Sequence, residues 1–551
     1  MALQVGKSNS FTTLLKEGYK DLVWAARYVH PLHRAGMNKL IVNQLEKLFV
    51  TNDAATIIRE LDVVHPAAKL LVMASQQQEQ EVGFILTTRM ATKPILFLSL
   101  LAEELISIGI HPSDIIDGYE RAFELASLHM KGNHLTQKLY IAELVIQTIS
   151  TFTKQDLIFA IKSSVSSKQD LLSGLIADAC VTIMPSKNPK SFNVDSIRVV
   201  KVMGGSIADS TLVHGMVFNR EPESRLKRAT NAKVAIFSCP LDIGRTETKG
   251  TVLLRNASEL ISFSSGEEKL VEAQVKEISD SGVKVIVTGG TIGDITLHFI
   301  NQYGLIAFRI ASKFDLQRLC RATGATALAR LGAPMAEEMG YCDLVETIEI
   351  GSDLCTIFKS GMESSFTKLL DSTSRIASIV LRGSTLNFLD DVERAIDDGV
   401  NVVKSLTKDG RLLPGAGATE MALSIYLQNM AVAIPGLTQY GIKKFGQALE
   451  AIPKILCENS GLDHLQILAQ LSAAHEAGQR SIGVDVESLG QQNGTLDVLD
   501  AQIMDLYATK ASALHLAVDA ALSILRIDSI VMSKPAGGPK PKAAGPIDAD
   551  E

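Results

Sequence analysis

The chain has 551 residues, 46% of them hydrophobic, 21% charged and 5% aromatic. A single hydrophobic core does not extend over that length, so about two to four domains of ordinary α/β or α-rich composition are predicted. Acidic residues outnumber basic ones 61 to 54, a net charge of −7, which provides no global attraction to nucleic acid or to an anionic membrane.

The N-terminal residues MALQVGKSNSF contain no continuous apolar run of the kind a secretory signal needs. The apolar stretch PILFLSLLA meets Glu103 and Glu104 well short of the ~20 residues that span a bilayer. Cys180, Cys239, Cys320, Cys342, Cys355 and Cys457 are scattered without a CxxC pair. They read as reduced, mostly buried thiols of a cytoplasmic protein, with no metal site.

From Asp53 to about Gln80 the pattern predicts helix, broken at His65-Pro66. LSLLAEELISIG and SDIIDGYERAFELASLH predict two more helices, with Pro112 near the start of the second. KQDLLSGLIADACVTIM predicts an amphipathic helix ending at Pro185. Between about 206 and 365 the character changes. VAIFSCPL, KVIVTGG, LIAFRI and DLVETIEI are short β-rich runs separated by helical segments such as EKLVEAQVKEISDSG, the alternation of an α/β unit. A polar insertion, ETKGTVLLRNASELISFSSGEEK, interrupts it. After SIVLRGST helices return in DDVERAIDDGVNVVKSL, ATEMALSIYLQNMA, the Pro453-interrupted IKKFGQALEAIPKILCENSG and ALHLAVDAALSILRI. The tail SKPAGGPKPKAAGPIDADE has a disordered composition. Helical regions at each end around an α/β insert imply that the two ends fold together.

Three stretches could carry chemistry. In LFVTNDAATII an apolar run ends at Thr51-Asn52-Asp53 and a helix begins, so Asp53 is either an N-cap or part of an anion-compatible turn. Asp397 and Asp398 are adjacent on one helix, so at most one of them faces a given site. Taken alone, they read as two solvated acids. In LLPGAGATE, Gly415 and Gly417 precede a helix, suiting either a tight turn or close approach of backbone to a phosphate. The sequence contains no His/Cys cluster with metal spacing, nucleophile elbow or Walker loop.

These stretches occur in the order found in one family. GMNKLIVNQLEKLFVTNDAATIIRELDVVHPAAKLLVMASQQQEQEVG, VTGG, ETKGTVLL, LRGSTLNFLDDVERAIDDGVN, LLPGAGATE and LRIDSIVMSKPAGGPKP together resemble the group II chaperonins from about residue 36 to 540. The resemblance implies a chaperonin fold. An α-helical equatorial domain is formed from both chain ends (1–137 and 407–532), with small α/β intermediate hinge segments at 138–205 and 369–406. An α/β apical domain spans 206–368, with a helical lid protrusion at about 247–268, and 533–551 is a disordered tail. It also implies ATP and Mg2+ as cofactors, seven paralogous subunits in a two-ring hetero-oligomer, and non-native client proteins such as cytoskeletal ones. Neither nucleic acid nor membrane is implied as a partner.

Family site residues are carried over where the motif matches. Asp53 and Asp398 take the catalytic positions that arrange and polarise the attacking water. Asn52, Gly83, Thr87, Thr88, Ser167, Lys168, Gly415, Ala416, Gly417, Gly483, Asp505 and Lys510 take nucleotide-binding positions. Ser167-Lys168 would sense the γ-phosphate, while Gly483, Asp505 and Lys510 would lie on the adenosine side. Two motifs depart. The family follows EVG with Asp-Gly-Thr, whose Asp holds the metal, whereas this chain has Phe84-Ile85-Leu86. The family's Gly-Pro turn before GMNK is replaced by HPLHRA. Phe84 cannot ligate magnesium, and Ile85 places a Cβ where close backbone approach is needed. Taken as written, those residues predict a ring subunit that binds substrate without hydrolysing ATP. Asp398, Lys168 and Gly415 are all retained, however, a pattern that fits a local frameshift or misplaced splice better than gradual decay.

Overall fold

The computed structural model describes residues 39–42, 48–51, 60, 69–70, 72–74, 76–78, 98–131, 147–148, 152–165, 170–185, 188–242, 256–359, 376–486 and 494–527. Among them, two kinds of core alternate along the chain.

The first core is helical and draws on both halves of the chain. Residues 98–108 and the helix Pro112–Lys131 bury Leu98, Leu105, Ile115, Tyr119, Ala122 and Met130. These side chains share one cluster with Leu423, Leu427, Phe445, Ala517, Ala521 and Leu525 from the helices Ala418–Ala433, Thr438–Leu449 and Tyr507–Leu525. Two glycines set the closest approach. A Cβ at Gly118 would lie 2.9 Å from the Thr438 carbonyl oxygen and 3.0 Å from Gly441 Cα, and one at Gly441 would lie 3.0 Å from Gly118 Cα. Only glycine at both positions permits that crossing. Beside it, Tyr119 donates to the Leu98 carbonyl at 2.9 Å and meets the Phe445 ring edge-on at 5.8 Å.

By length and composition Tyr507–Leu525 is long and apolar enough to cross a bilayer, a feature the sequence reading passed over. In the fold its apolar residues are spent on this core. Pro453 also behaves differently from expectation. The helix breaks at Glu450, between Thr438–Leu449 and Ala451–Asn459, so Pro453 occupies the first turn of the second helix, where a missing N–H costs nothing.

The second core is built on a nine-stranded mixed sheet in the order Ile197–Met203, Ala377–Gly383, Thr211–Phe218, Asp353–Lys359, Gly340–Ile350, Arg228–Phe237, Val283–Thr288, Ile306–Arg309, with Ala327–Leu328 also paired to Arg228–Phe237. Side chains alternate as a strand requires. Ala232, Val234 and Ile236 join Leu316 and Leu319 of the helix Lys313–Thr323 in one cluster. Ala235 and Phe237 join Val271, Val275 and Ile300 from the helices Ala257–Asp280 and Asp294–Gln302 in another. The parallel strands thus carry helices on both faces, which is why they read as continuous apolar runs. The second half of the polar insertion is not a separate element: residues 257–268 form the first half of the 24-residue helix Ala257–Asp280. Its first half, 247–255, is outside the described residues.

The strand Thr211–Phe218 changes partner midway. His214 pairs with Ala377, whereas Gly215 pairs with Lys359. Gly215 has φ +130°, its N–H donates to the Ile376 carbonyl at 2.9 Å, and its own carbonyl accepts from Ser378 Oγ at 2.7 Å. A Cβ there would overlap the Phe358 carbonyl oxygen.

The six cysteines are free thiols: Cys180, Cys342, Cys355 and Cys457 are buried, and Cys239 and Cys320 are half-buried. Burial pushes the Cys342 thiol up to about 12 and those of Cys320 and Cys457 to about 11. They are poor nucleophiles at neutral pH. Among the described residues no cluster of His, Cys, Asp and Glu could hold a metal.

Two outcomes are expected. Gly215→Ala forces an L side chain into a left-handed backbone and against a carbonyl, and should destabilise by about 2–5 kcal/mol; an unchanged denaturation midpoint would contradict this. His129 is 6% exposed and stacks on Tyr426 at 4.1 Å with the rings 7° apart. Burial first, and Arg480 second, lower its pKa to about 4. The unfolded chain therefore binds the proton more readily, so stability present above pH ~6.5 is lost as pH falls toward 4, by about 1–2 kcal/mol at pH 5. In His129→Phe that part of the acid sensitivity should vanish, as read from denaturation midpoints between pH 7 and 5.

Candidate functional site

The strand Arg411–Pro414 is the middle strand of a small sheet, paired with Met504–Leu506 on one side and Gln147–Thr148 on the other. It runs directly into the turn Gly415-Ala416-Gly417 and then the helix Ala418–Ala433. Ala416 and Gly417 both have positive φ, +50° and +79°. Gly415 donates to the Ile503 carbonyl at 3.0 Å, and Val484 donates to the Ala416 carbonyl at 3.0 Å, docking the strand Ile482–Val484 onto the turn.

Glycine is required on both sides of this junction. A Cβ at Gly483 would lie 2.9 Å from Ala416 Cβ and 2.8 Å from Val498 Cγ2, and one at Gly415 would lie 3.0 Å from the Ile503 carbonyl and 3.3 Å from Asp505 Oδ2. Among the described residues no backbone acceptor takes the N–H of Ala416 or Gly417. Those groups stand at the positive end of a 16-residue helix, an arrangement suited to a phosphate.

Beneath the turn lies a charged cluster. Lys510 Nζ sits 2.8 Å from Glu420 Oε1, 3.1 Å from Asp505 Oδ2 and 3.3 Å from the Pro414 carbonyl oxygen. All three charged side chains are at most 7% exposed. Burial works against the Lys510 charge, but Glu420 and Asp505 outweigh it and hold the ammonium above its ordinary pKa. Thr419 Oγ1 donates to the same Pro414 carbonyl at 2.6 Å. At the other end of the strand, Arg411 grips Asp409 with two guanidinium nitrogens and lies 3.8 Å over the Tyr507 ring. Its hydrogen bond to Asp409 lowers that carboxyl's pKa despite partial burial.

The structure therefore brings together Gly415, Ala416, Gly417, Gly483, Asp505 and Lys510, which are scattered over nearly a hundred residues of sequence. Glu420, Thr419 and Ile503 belong to the same assembly and received no role from the sequence. A Glu in the first turn of the otherwise apolar helix ATEMALSIYL was the available signal, since a buried carboxylate requires a partner.

Asp398 lies on the helix Leu386–Lys408, which leads into the strand Arg411–Pro414. It is half-buried, whereas Asp397 is exposed, so the two do point in different directions. A Cβ at the next residue, Gly399, would come within 2.9–3.3 Å of Ile176, Ile161 and Val165. The missing side chain lets this helix press against Lys154–Val165 and Asp170–Ile183, the helices that flank Ser167 and Lys168 in sequence. The strand Leu48–Thr51, which immediately precedes Asn52 and Asp53 in sequence, packs on the same helix. Asn52, Asp53, Gly83, Phe84, Ile85, Leu86, Thr87, Thr88, Ser167 and Lys168 themselves lie outside the described residues.

Comparison with known proteins matches residues 35–535 to the model of the TCP-1/cpn60 chaperonin family. The chain is 48% identical to the probable T-complex protein 1 subunit theta of Schizosaccharomyces pombe, with 99% of each chain covered. It is 45% identical to the human T-complex protein 1 subunit theta, with 98% of each covered. It is 46% identical to the same subunit of Dictyostelium discoideum, over 94% of this chain and 92% of the relative. The chain belongs to the TCP-1/cpn60 chaperonin family, and its mixed helix and sheet content accords with that membership.

Proposed function

We propose that this chain is a subunit of an ATP-dependent cytoplasmic chaperonin, assembled with seven paralogous subunits into a two-ring hetero-oligomer. Such a particle encloses non-native proteins and closes a built-in lid as ATP is hydrolysed. In this reading residues 1–137 and 407–532 form the equatorial domain, 138–205 and 369–406 the intermediate segments, and 206–368 the apical domain. The helical core shared by 98–131 and 418–525 supports the first of these. Family membership along almost the whole chain supports the function.

The observation that carries the nucleotide site is the turn Gly415–Gly417 at the start of the helix Ala418–Ala433, where glycines let the backbone pack closely on Ile503, Pro453 and Val498 and the N–H groups of Ala416 and Gly417 remain for an anion. Those residues fit a nucleotide. Bound ATP would supply the scissile phosphoanhydride. The residues of this chain would hold its phosphates by N–H groups, its adenosine side by Asp505 and Gly483, and the attacking water by Asp53 and Asp398. Magnesium fits less well, because Phe84 offers no oxygen where the family has a ligand.

Native mass measurement tests the assembly: we expect co-purification with paralogous subunits in a particle many times the 59.4 kDa of one chain. Recovery solely as a stable monomer would contradict the proposal. A second measurement concerns the loop. Desolvating phosphates against apolar side chains costs several kcal/mol, about enough to abolish binding at millimolar ATP. Restoring Asp-Gly-Thr at Phe84, Ile85 and Leu86 should therefore raise hydrolysis at this site. Adding Asp398→Ala to that chain should slow turnover by about 10²–10⁴-fold while leaving ATP affinity largely unchanged. Rapid hydrolysis before the loop is restored would refute the first statement, and undiminished turnover after Asp398→Ala the second.

A further inference from the structure

The nucleotide reading leaves one feature unexplained: a lysine spent wholly on internal oxygens. We propose that Lys510 is a positioning residue that acts on the nucleotide through Asp505 and the Pro414–Gly415 backbone and makes no contact with the nucleotide itself. The proposal rests on the nucleotide reading of the Gly415–Gly417 cradle and deepens it.

Three observations support it. First, the side chain of Lys510 is 4% exposed and its Nζ already has Glu420, Asp505 and the Pro414 carbonyl within 2.8–3.3 Å. Two of the ammonium's three donors serve Glu420 and the Pro414 carbonyl as hydrogen bonds, and Asp505 Oδ2 at 3.1 Å holds it as an ion partner. Second, the partners come from the three elements that build the cradle: the strand entering the turn, the helix leaving it and the neighbouring strand Met504–Leu506. Asp505 lies opposite Leu413 in that pairing, and its Oδ2 is 3.3 Å from where a Gly415 Cβ would stand. Any shift of Asp505 is therefore felt at the turn. Third, two carboxylates share one ammonium in a site nearly closed to water. Without the cation, Asp505 and Glu420 would repel each other across a low-dielectric gap and Asp505 would leave its position.

A small cavity of about 30 Å³ adjoins the cluster, lined among others by Thr419, Glu420 and Lys510. Lys510→Arg changes the side chain while keeping the charge beside this space.

The test uses the full chain in its assembled particle, with Asp-Gly-Thr restored at 84–86 so that the phosphate loop does not limit binding. The probe is 8-azido-ADP, and photolabelling is quantified on this chain alone against probe concentration. Lys510→Met should raise the half-labelling concentration by about tenfold to a hundredfold, the range seen when a residue that orients a metal ligand is removed. Lys510→Arg should restore most of the affinity. Asp505→Asn should weaken labelling by itself, and Lys510→Met combined with Asp505→Asn should be no worse than Asp505→Asn, because both changes break one path. Should Lys510→Met fail to assemble, Lys510→Met/Glu420→Gln removes one charge of each sign and carries the same comparison. Unchanged labelling of the Lys510→Met chain, or losses that simply add in the double variant, would overturn the positioning role. Unchanged labelling of Asp505→Asn would overturn the nucleotide reading beneath it.

Discussion

The contact on which the fold depends is the crossing of Gly118 over Gly441. Helices from opposite ends of the sequence touch backbone to backbone there, at a spacing that a single methyl group would disrupt. That contact converts an α/β insertion into an excursion with fixed departure and return points. It also brings Leu98, Tyr119 and Phe445 into one core, so the stability of either end is shared with the other. Surface pairs over this seam, such as Lys444 with Glu104 at 2.6 Å and Arg526 with Glu120 at 2.7 Å, lie at its exposed edge and add little beside the burial beneath them.

Above that core the chain places its charges sparingly. Lys510, Glu420 and Asp505 are buried at the base of a tight turn, and burial of ions opposes folding unless each is paired. Here the cation has both carboxylates within 3.1 Å, while Glu420 Oε2 and Asp505 Oδ2 have no hydrogen-bond partner among the described residues. Removing one member of such a cluster typically costs about 3–5 kcal/mol because the remaining charges are left buried and unpaired. The cluster holds the strand, turn and helix that form the cradle in one fixed relation.

The helix Leu386–Lys408 connects this cradle with the rest of the molecule. Its N-terminal part packs beside the strand Ala377–Gly383 of the large sheet, its middle carries Asp398, and its C-terminal end leads to the turn. Lys201 of the sheet reaches across to Asp390 at 2.6 Å and Glu393 at 2.8 Å on the same helix. A movement of the sheet unit would therefore be transmitted along this helix to Asp398. At Gly215 the sheet itself changes partners, so this switch and the helix Leu386–Lys408 meet the same strand, Ala377–Gly383.

Much of this was legible from the residues in order. Helices such as Pro112–Lys131, Leu386–Lys408 and Ala418–Ala433, and the buried strands Val283–Thr288 and Ile306–Arg309, follow from local periodicity because each presents one continuous apolar face or run. The glycines of LLPGAGATE and the Asp397-Asp398 pair were visible as candidates for the same reason: their chemistry is local. Tertiary structure alone decided the rest. Strands of three or four residues, such as Arg411–Pro414 and Met504–Leu506, are too short to show a period and exist because they pair. The helix Ala257–Asp280 runs through a segment whose composition read as a polar insertion, and its later turns meet the sheet through Val271, Val275 and Ile278. The partner of Lys510 lies ninety positions away at Glu420. Whether a lysine contacts a ligand or a buried carboxylate depends on what folds against it, and no local pattern records that.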